Sequence, residues 1–241
     1  MLRSPFFSII IMLFFLSCNE KKAAPTTKNP QEKKARQLLE DGIKDLENKK
    51  FNEAFYNFNK SKIAYVPLHD SVSISYNLIQ MANMQLIMGD YYGSKETLTE
   101  AIPYLKKDDP YFASIYSTFG IADKELGLYD DAVVSYRATI NVLTDSVAKY
   151  SPINNIAVIY IKQKKYDKAI QILEPLLKSK TIQLVLKDSK SRIIDNLGYA
   201  YFKKGNLDKS LSLMNEGLTI RTIDDDTYGS IESHIHLAEY Y

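Results

Sequence analysis

The chain has 241 residues, 31 of them basic and 29 acidic, for a formal net charge of +2. That balance supplies no concentrated basic face for nucleic acid, and a single cysteine excludes an intrachain disulfide framework and a cysteine-rich metal site. With 45% apolar and 25% charged residues it is neither a disordered tail nor a polytopic membrane protein; its length fits one good-sized domain or one short repeat array.

The N-terminus opens with Arg3 and then an apolar run, Phe6 to Leu16, interrupted only by Ser8. Eleven residues fall well short of the roughly 20 a membrane-spanning helix needs, but they suit the core of a signal peptide. The run ends in Phe15-Leu16-Ser17-Cys18, and Cys18 is the only cysteine. This resembles the lipobox of bacterial lipoproteins, with Phe15 in place of the usual Leu. The resemblance implies cleavage before Cys18, a diacylglycerol on its thiol, and a mature chain attached to a bilayer without spanning it. Residues 1–17 are then signal peptide, and 18–32 a lipidated cysteine with a polar tether rich in Lys, Thr and Pro. No acidic cluster follows Cys18 closely, which in such lipoproteins favours a periplasm-facing protein, on the outer rather than the inner membrane.

Residues 33–241 repeat one unit. Small residues recur at Gly42, Ala82, Gly120, Ala157, Gly198 and Ala238, every 37 to 41 residues. Nine residues after each of the first five comes Phe51, Tyr91, Tyr129, Tyr166 or Leu207. Three further on comes Ala54, Ser94, Ala132, Ala169 or Ser210, and four beyond that Phe58, Leu98, Tyr136, Leu173 or Met214. A small residue on each of two helices lets them approach closely, while the large residues fill the wedge between neighbouring hairpins. Turns such as Met88-Gly89-Asp90-Tyr91 and Leu126-Gly127-Leu128-Tyr129 use Gly to end the first helix. The spacing predicts an all-α stack of about five helix-turn-helix hairpins plus a final single helix. It also accounts for many of the 18 tyrosines as packing residues, among them Tyr129, Tyr136, Tyr160, Tyr166 and Tyr201. Pro103 and Pro175 fall inside predicted second helices, which they are expected to kink or to close.

The clearest copies are Asn196-Leu197-Gly198-x-Ala200-Tyr201-x-x-x-Gly205-x-Leu207-x-x-Ser210 and Asn155-Ile156-Ala157-x-x-Tyr160 leading to Tyr166-Asp167-Lys168-Ala169. They resemble the tetratricopeptide repeat family over nearly all of the mature chain, which implies a right-handed α-solenoid of about five such hairpins plus the final single helix. The period exceeds the roughly 34 residues usual there, and the usual first-helix Trp is replaced by Leu38, Leu78, Tyr116, Ile153 and Ile194. The last stretch, Ile231 to Tyr241, reads as the first helix of a sixth repeat, either a capping helix or the point where a longer gene product is cut short.

The resemblance implies a concave groove lined by first helices. Its groove positions fall on Gln80, Asn83, Thr118, Lys124, Asn154, Asn155, Lys162, Arg192, Asp195, Asn196, Tyr199 and Lys203. Asn155 and Asn196 stand where family members hold a peptide backbone with an amide, which both donates and accepts. Lys162, Arg192 and Lys203 favour an acidic peptide or a terminal carboxylate, although Ser114, Ser117 and Ser151 depart from a full basic clamp. Asn196, Tyr199 and Lys203 are expected to be free of packing duty and open to a partner. The triplet Asp224-Asp225-Asp226 precedes a helix that Asp226 or Thr227 can cap. His234 and His236 lie two apart on one helix and cannot chelate one ion. No phosphate loop, zincin or nucleophile elbow is present, so no enzyme, cofactor or metal is expected. The function expected is a non-enzymatic, lipid-anchored scaffold for a protein or peptide partner in the cell envelope. Alternatives are the sensory input region of a signal-transduction regulator and an outer-membrane assembly or pilus-biogenesis lipoprotein.

Overall fold

The computed structural model describes residues 29–241, apart from Leu186, Asp225 and the side chains of Asp188 and Tyr228. The signal-peptide stretch and Cys18 lie outside the described residues. The chain divides into two compact units, Met1–Leu128 and Tyr129–Tyr241. The first holds α1 (Pro30–Glu47), α2 (Phe51–Tyr65), α3 (Ser71–Ile87), α4 (Tyr91–Ala101) and α5 (Tyr111–Glu125). The second holds α6 (Tyr129–Val142), α7 (Tyr150–Lys162), α8 (Tyr166–Lys178), α9 (Lys187–Lys203), α10 (Leu207–Ile223) and α11 (Thr227–Tyr240). No strand occurs among the described residues. Helix α1 begins at Pro30, inside the segment read as tether, because Asn29 accepts from the Gln31 N–H and proline suits the first helical turn.

Every second helix starts on the residue the repeat marks: Phe51, Tyr91, Tyr129, Tyr166 and Leu207. The turns before them share one construction. A residue of left-handed backbone stands two places ahead of each helix: Lys49, Gly89, Gly127, Lys164 and Gly205, with φ between 58 and 82°. The next residue's N–H closes back on a carbonyl five residues earlier, as in Asn206 to Tyr201 at 3.0 Å and Lys165 to Tyr160 at 2.8 Å. This Schellman closure satisfies carbonyls that the helix end leaves open and reverses the chain in three residues. Only three of the five positions carry the glycine that left-handed backbone favours, so the turns at Lys49 and Lys164 are not signalled by composition.

Within each unit the small anchors do what the spacing requires. A Cβ on Gly42 would stand 3.0 Å from the Phe58 ring, and one on Gly198 only 2.8 Å from Met214 Cγ. Ala157, Ala169 and Leu173 sit fully buried in one cluster with Ile193, Leu197 and Ala200. In the first unit Leu78, Ala82, Leu98 and Ala101 join Ala35, Tyr65, Ile74 and Ile115, while Ala54 and Phe58 pack with Met81 and Met84. The seam has a second close approach one helical turn or more away from the anchor. Ser61 of α2 donates to the Ala35 carbonyl of α1 at 3.1 Å, and a Cβ on Gly217 of α10 would lie 3.2 Å from the Ser191 carbonyl of α9.

The long period resides partly in the connections between hairpins, where 3-10 turns Val66–Leu68, Ile102–Tyr104 and Lys180–Leu184 are inserted. Pro103 lies in the second of these, so α4 ends before it, at Ala101. Pro175 instead sits within α8, and the helix continues past it to Lys178.

The turn and the seam give substitutions of different character. Nothing lies within 4 Å of a Cβ built on Gly205, so Gly205→Ala is expected to cost about 1 kcal/mol through backbone strain alone. Lys164→Gly relieves the same strain and is expected to stabilise by roughly 0.5–1 kcal/mol. Gly198→Ala, which meets Met214 side chain and backbone, is expected to lose about 1–3 kcal/mol. Urea unfolding midpoints of the three variants check the signs.

Candidate functional site

A residue two places before the anchor is rotated by about 200° from it on a helix, so it faces away from the second helix. That position carries Glu40, Gln80, Thr118, Asn155, Asn196 and His236 in the six first helices. All six are polar, whereas the anchors are Gly or Ala throughout. The same first-helix position thus carries a hydrogen-bonding side chain in every copy, although Gln80, Thr118 and Asn196 are buried.

In the first unit Thr118 Oγ1 of α5 donates to Asn83 Oδ1 of α3 at 3.1 Å, and Lys124 pairs with its neighbour Glu125 at 2.8 Å. Gln80 is 9% exposed, and its Oε1 has no hydrogen-bond partner. Nearby on the same helix, Tyr76 packs its ring 6.1 Å from that of Tyr111, and burial pushes its hydroxyl up to about 12.

In the second unit Asn196 Nδ2 of α9 donates to Asn154 Oδ1 of α7 at 3.1 Å, in a buried position. Asn155, half-buried, is left outside that pair, and Lys162 is exposed at the end of α7. Arg192 is half-buried on α9. Asp195, expected on the groove, is instead completely buried. It stands three places before its anchor, which rotates it back toward α10. There its Oδ2 accepts from Arg221 Nη1 at 3.3 Å and lies 2.8 Å from His236 Nδ1.

Tyr199 and Lys203 are likewise held by the protein itself, because α11 lies against α9. Tyr199 donates to Glu239 Oε2 at 2.8 Å, and Lys203 Nζ reaches the same oxygen at 2.6 Å. The Tyr199 ring stacks on His236 with centroids 4.1 Å apart, and Lys203 lies 5.0 Å from the Tyr199 centroid. The Lys203 and Tyr199 hydrogen bonds hold the Glu239 carboxyl below its usual 4.5. The positive charge expected to attract a partner at Lys203 is neutralised here.

Sequence reading missed the group that fastens α11. Arg221 of α10 is buried to 1% and spreads its guanidinium over four acceptors. They are Asp195, the Gly229 carbonyl at 2.5 Å, Ser233 Oγ at 2.7 Å and Glu232 at 3.3 Å. Asp226 caps the helix these residues occupy, accepting from the Gly229 N–H at 2.9 Å. The signal available was the repeat itself: Glu239 follows Tyr199 by one period, and His236 occupies the polar groove position of the sixth copy. Among the described residues no three His, Cys, Asp or Glu side chains gather as metal ligands.

Arg221→Met is expected to cost about 3 kcal/mol or more, because it strands the buried Asp195 charge. The lowered Glu239 carboxyl adds an acid dependence. Its contribution is complete above the ordinary carboxylate range and fades as the pH falls through 4.5 and below. Amide exchange read by mass spectrometry is expected to show α11 opening first in both cases.

The tetratricopeptide repeat family profile matches residues 151–180 and 191–223. Among curated proteins nothing matches. Solved structures share the fold at low identity. A variant of a putative kinesin light chain from Podosopora anserina with nearly identical TPR-like repeats aligns at 14% identity and TM-score 0.65, over 83% of this chain and all of that one. The apo form of RapI aligns at 15% identity and TM-score 0.73, over 86% of this chain and 77% of that one. Aspartyl phosphate phosphatase F from Bacillus subtilis aligns at 16% identity and TM-score 0.72, over 84% of this chain and 54% of that one. These likenesses are of fold alone. Two tetratricopeptide repeats are thus identified, at α7–α8 and α9–α10, and the chain as a whole has the all-α fold of TPR-like helical repeat proteins.

Proposed function

We propose that this protein is a non-enzymatic interaction scaffold, lipid-anchored in a bacterial cell envelope, that captures a segment of a partner protein on the first-helix faces of its repeats. The tetratricopeptide fold supports a protein–protein interaction role. The groove reading rests on one observation: the position facing away from every second helix is polar in all six first helices. An amide such as that of the half-buried Asn155 donates and accepts, so it pairs with the backbone of an extended segment of any sequence. Because the helices that present these groups are already packed, little ordering of the scaffold opposes binding. The inter-repeat pairs Asn83–Thr118 and Asn154–Asn196 stiffen the same faces. Anchoring rests on the apolar run Phe6 to Leu16 ending at Cys18, the sole cysteine.

The variant for the groove is Asn155→Ala, in the second unit. Asn196 is avoided, since removing its amide leaves the buried Asn154 oxygen unpaired. In pulldowns from detergent-solubilised envelope, a groove partner is expected to be depleted about fivefold with this variant, the loss of about one hydrogen bond. Equal recovery of every partner removes the groove reading. For the anchor, palmitate-analogue labelling of cells is expected to mark the wild-type chain and not Cys18→Ser. Label on both, or on neither, sinks the lipid anchor while leaving the groove untouched.

A further inference from the structure

The Asn154–Asn196 bond joins two side-chain amides head to tail across the seam between α7 and α9. The pair has two ends that bond to nothing else among the described residues, Nδ2 of Asn154 and Oδ1 of Asn196. Both residues are more than nine-tenths buried, at 8% and 7% exposure, yet neither of these atoms is cut off from solvent. Helix α8 covers one side of the seam, where Ala169 and Leu173 pack against Ala157, Ile193 and Leu197. The open ends therefore face the other side, away from the second helices. Beside them the half-buried Asn155 makes no hydrogen bond among the described residues, so its whole amide is available. The cations of the same face are already engaged. Lys203 is bound to Glu239 at 2.6 Å, and Lys162 and Arg192 have interactions of their own within the chain. What this face offers a ligand is neutral amide, fixed in place by a bond between two repeats.

We propose that the inner face of α7–α9 reads the main chain of an uncharged extended segment, through the two open ends of the Asn154–Asn196 pair and the amide of Asn155. This deepens the groove reading and rests on it. Three amides side by side alternate donors and acceptors, as the N–H and C=O groups along one edge of an extended chain do. The bond within the pair holds both side chains in the receiving geometry, so little is lost in ordering them when a ligand arrives. An acidic segment, the ligand expected from Lys162, Arg192 and Lys203, would instead bring a charge against amides with no unengaged cation to meet it. Asn154, rather than any of those three cations, is then the residue that sets which ligand is accepted.

The probe is a displayed library of short random peptides selected against the full chain, the recovered peptides being synthesised and titrated by fluorescence anisotropy. Binders are expected to carry no excess of acidic residues, and their affinity to change less than about twofold on raising the salt to about 0.5 M, which screens ion pairs. Methylating the peptide's backbone nitrogens one at a time is expected to cost about fivefold at one position or two. Asn154→Asp keeps an acceptor for Asn196 Nδ2 but puts an oxygen where the open donor stood, and is expected to weaken binding about fivefold or more. Asn155→Asp makes the same exchange at a half-buried site, so the test survives if circular dichroism finds Asn154→Asp unfolded. Failure to select any peptide, or selection only of binders that Asn155→Ala leaves untouched, removes the groove reading and this proposal with it. Binders that need Asn155 but are acidic and are lost in salt overturn this proposal alone. So do binders that need Asn155 yet tolerate every backbone methylation, or that the folded aspartate variants leave unweakened.

Discussion

The structure depends on how near two helix backbones come when only three residues join them. A turn this short sets the helices side by side, and an apolar seam between them excludes water only if one side of the contact is almost bare of side chain. Gly198 against Met214 and Gly42 against Phe58 meet that condition with no space for a methyl group. The turn has to deliver the helices in matching register, which is why a left-handed residue stands at the same place in all five, even where it is lysine. Strain at Lys49 and Lys164 is tolerable because the packing it enables is worth several times the roughly 1–2 kcal/mol it costs.

The fold was legible because this constraint is written in residue size at fixed intervals. The first residue of each second helix followed directly from the anchors. The two lysine turns were not legible, since left-handed backbone leaves no mark when the glycine is missing. Nor was the start of α1, where the polar tether reading of a Lys- and Pro-containing stretch competed with the Asn29 cap and Pro30, which favour a helix start.

The groove was legible as a set of positions and not as a set of free groups. Gln80, Asn83, Thr118, Asn154, Asn155 and Asn196 all fall on first helices where the repeat predicts, but four of them bond one another across neighbouring repeats. Pairings of this kind span 35 to 42 residues of sequence and depend on which rotamer meets which, information that a single hairpin does not hold. Tyr199 and Lys203 illustrate the same limit. Read within the hairpin α9–α10 they have no packing role, and read with α11 in place they are what that helix rests on. Polar residues on a repeat's inner face therefore serve two ends, joining consecutive repeats and meeting a ligand.

Toward α10 and α9, α11 is fixed by directional contacts: the Arg221 guanidinium, the Asp195–His236 pair and the Glu239 bonds. A buried ionic contact such as Asp195–Arg221 specifies geometry strongly while adding little net stability, because desolvation consumes most of its attraction. Asp195 Oδ1 and Arg221 Nε, buried without hydrogen-bond partners, make the balance here less favourable still. A helix oriented chiefly by such contacts is well placed rather than strongly secured. Within α9–α10 the labour is divided: the close approach of Gly217 to the Ser191 carbonyl brings the two helices together, and the Asp195–Arg221 pair sets the angle at which they meet.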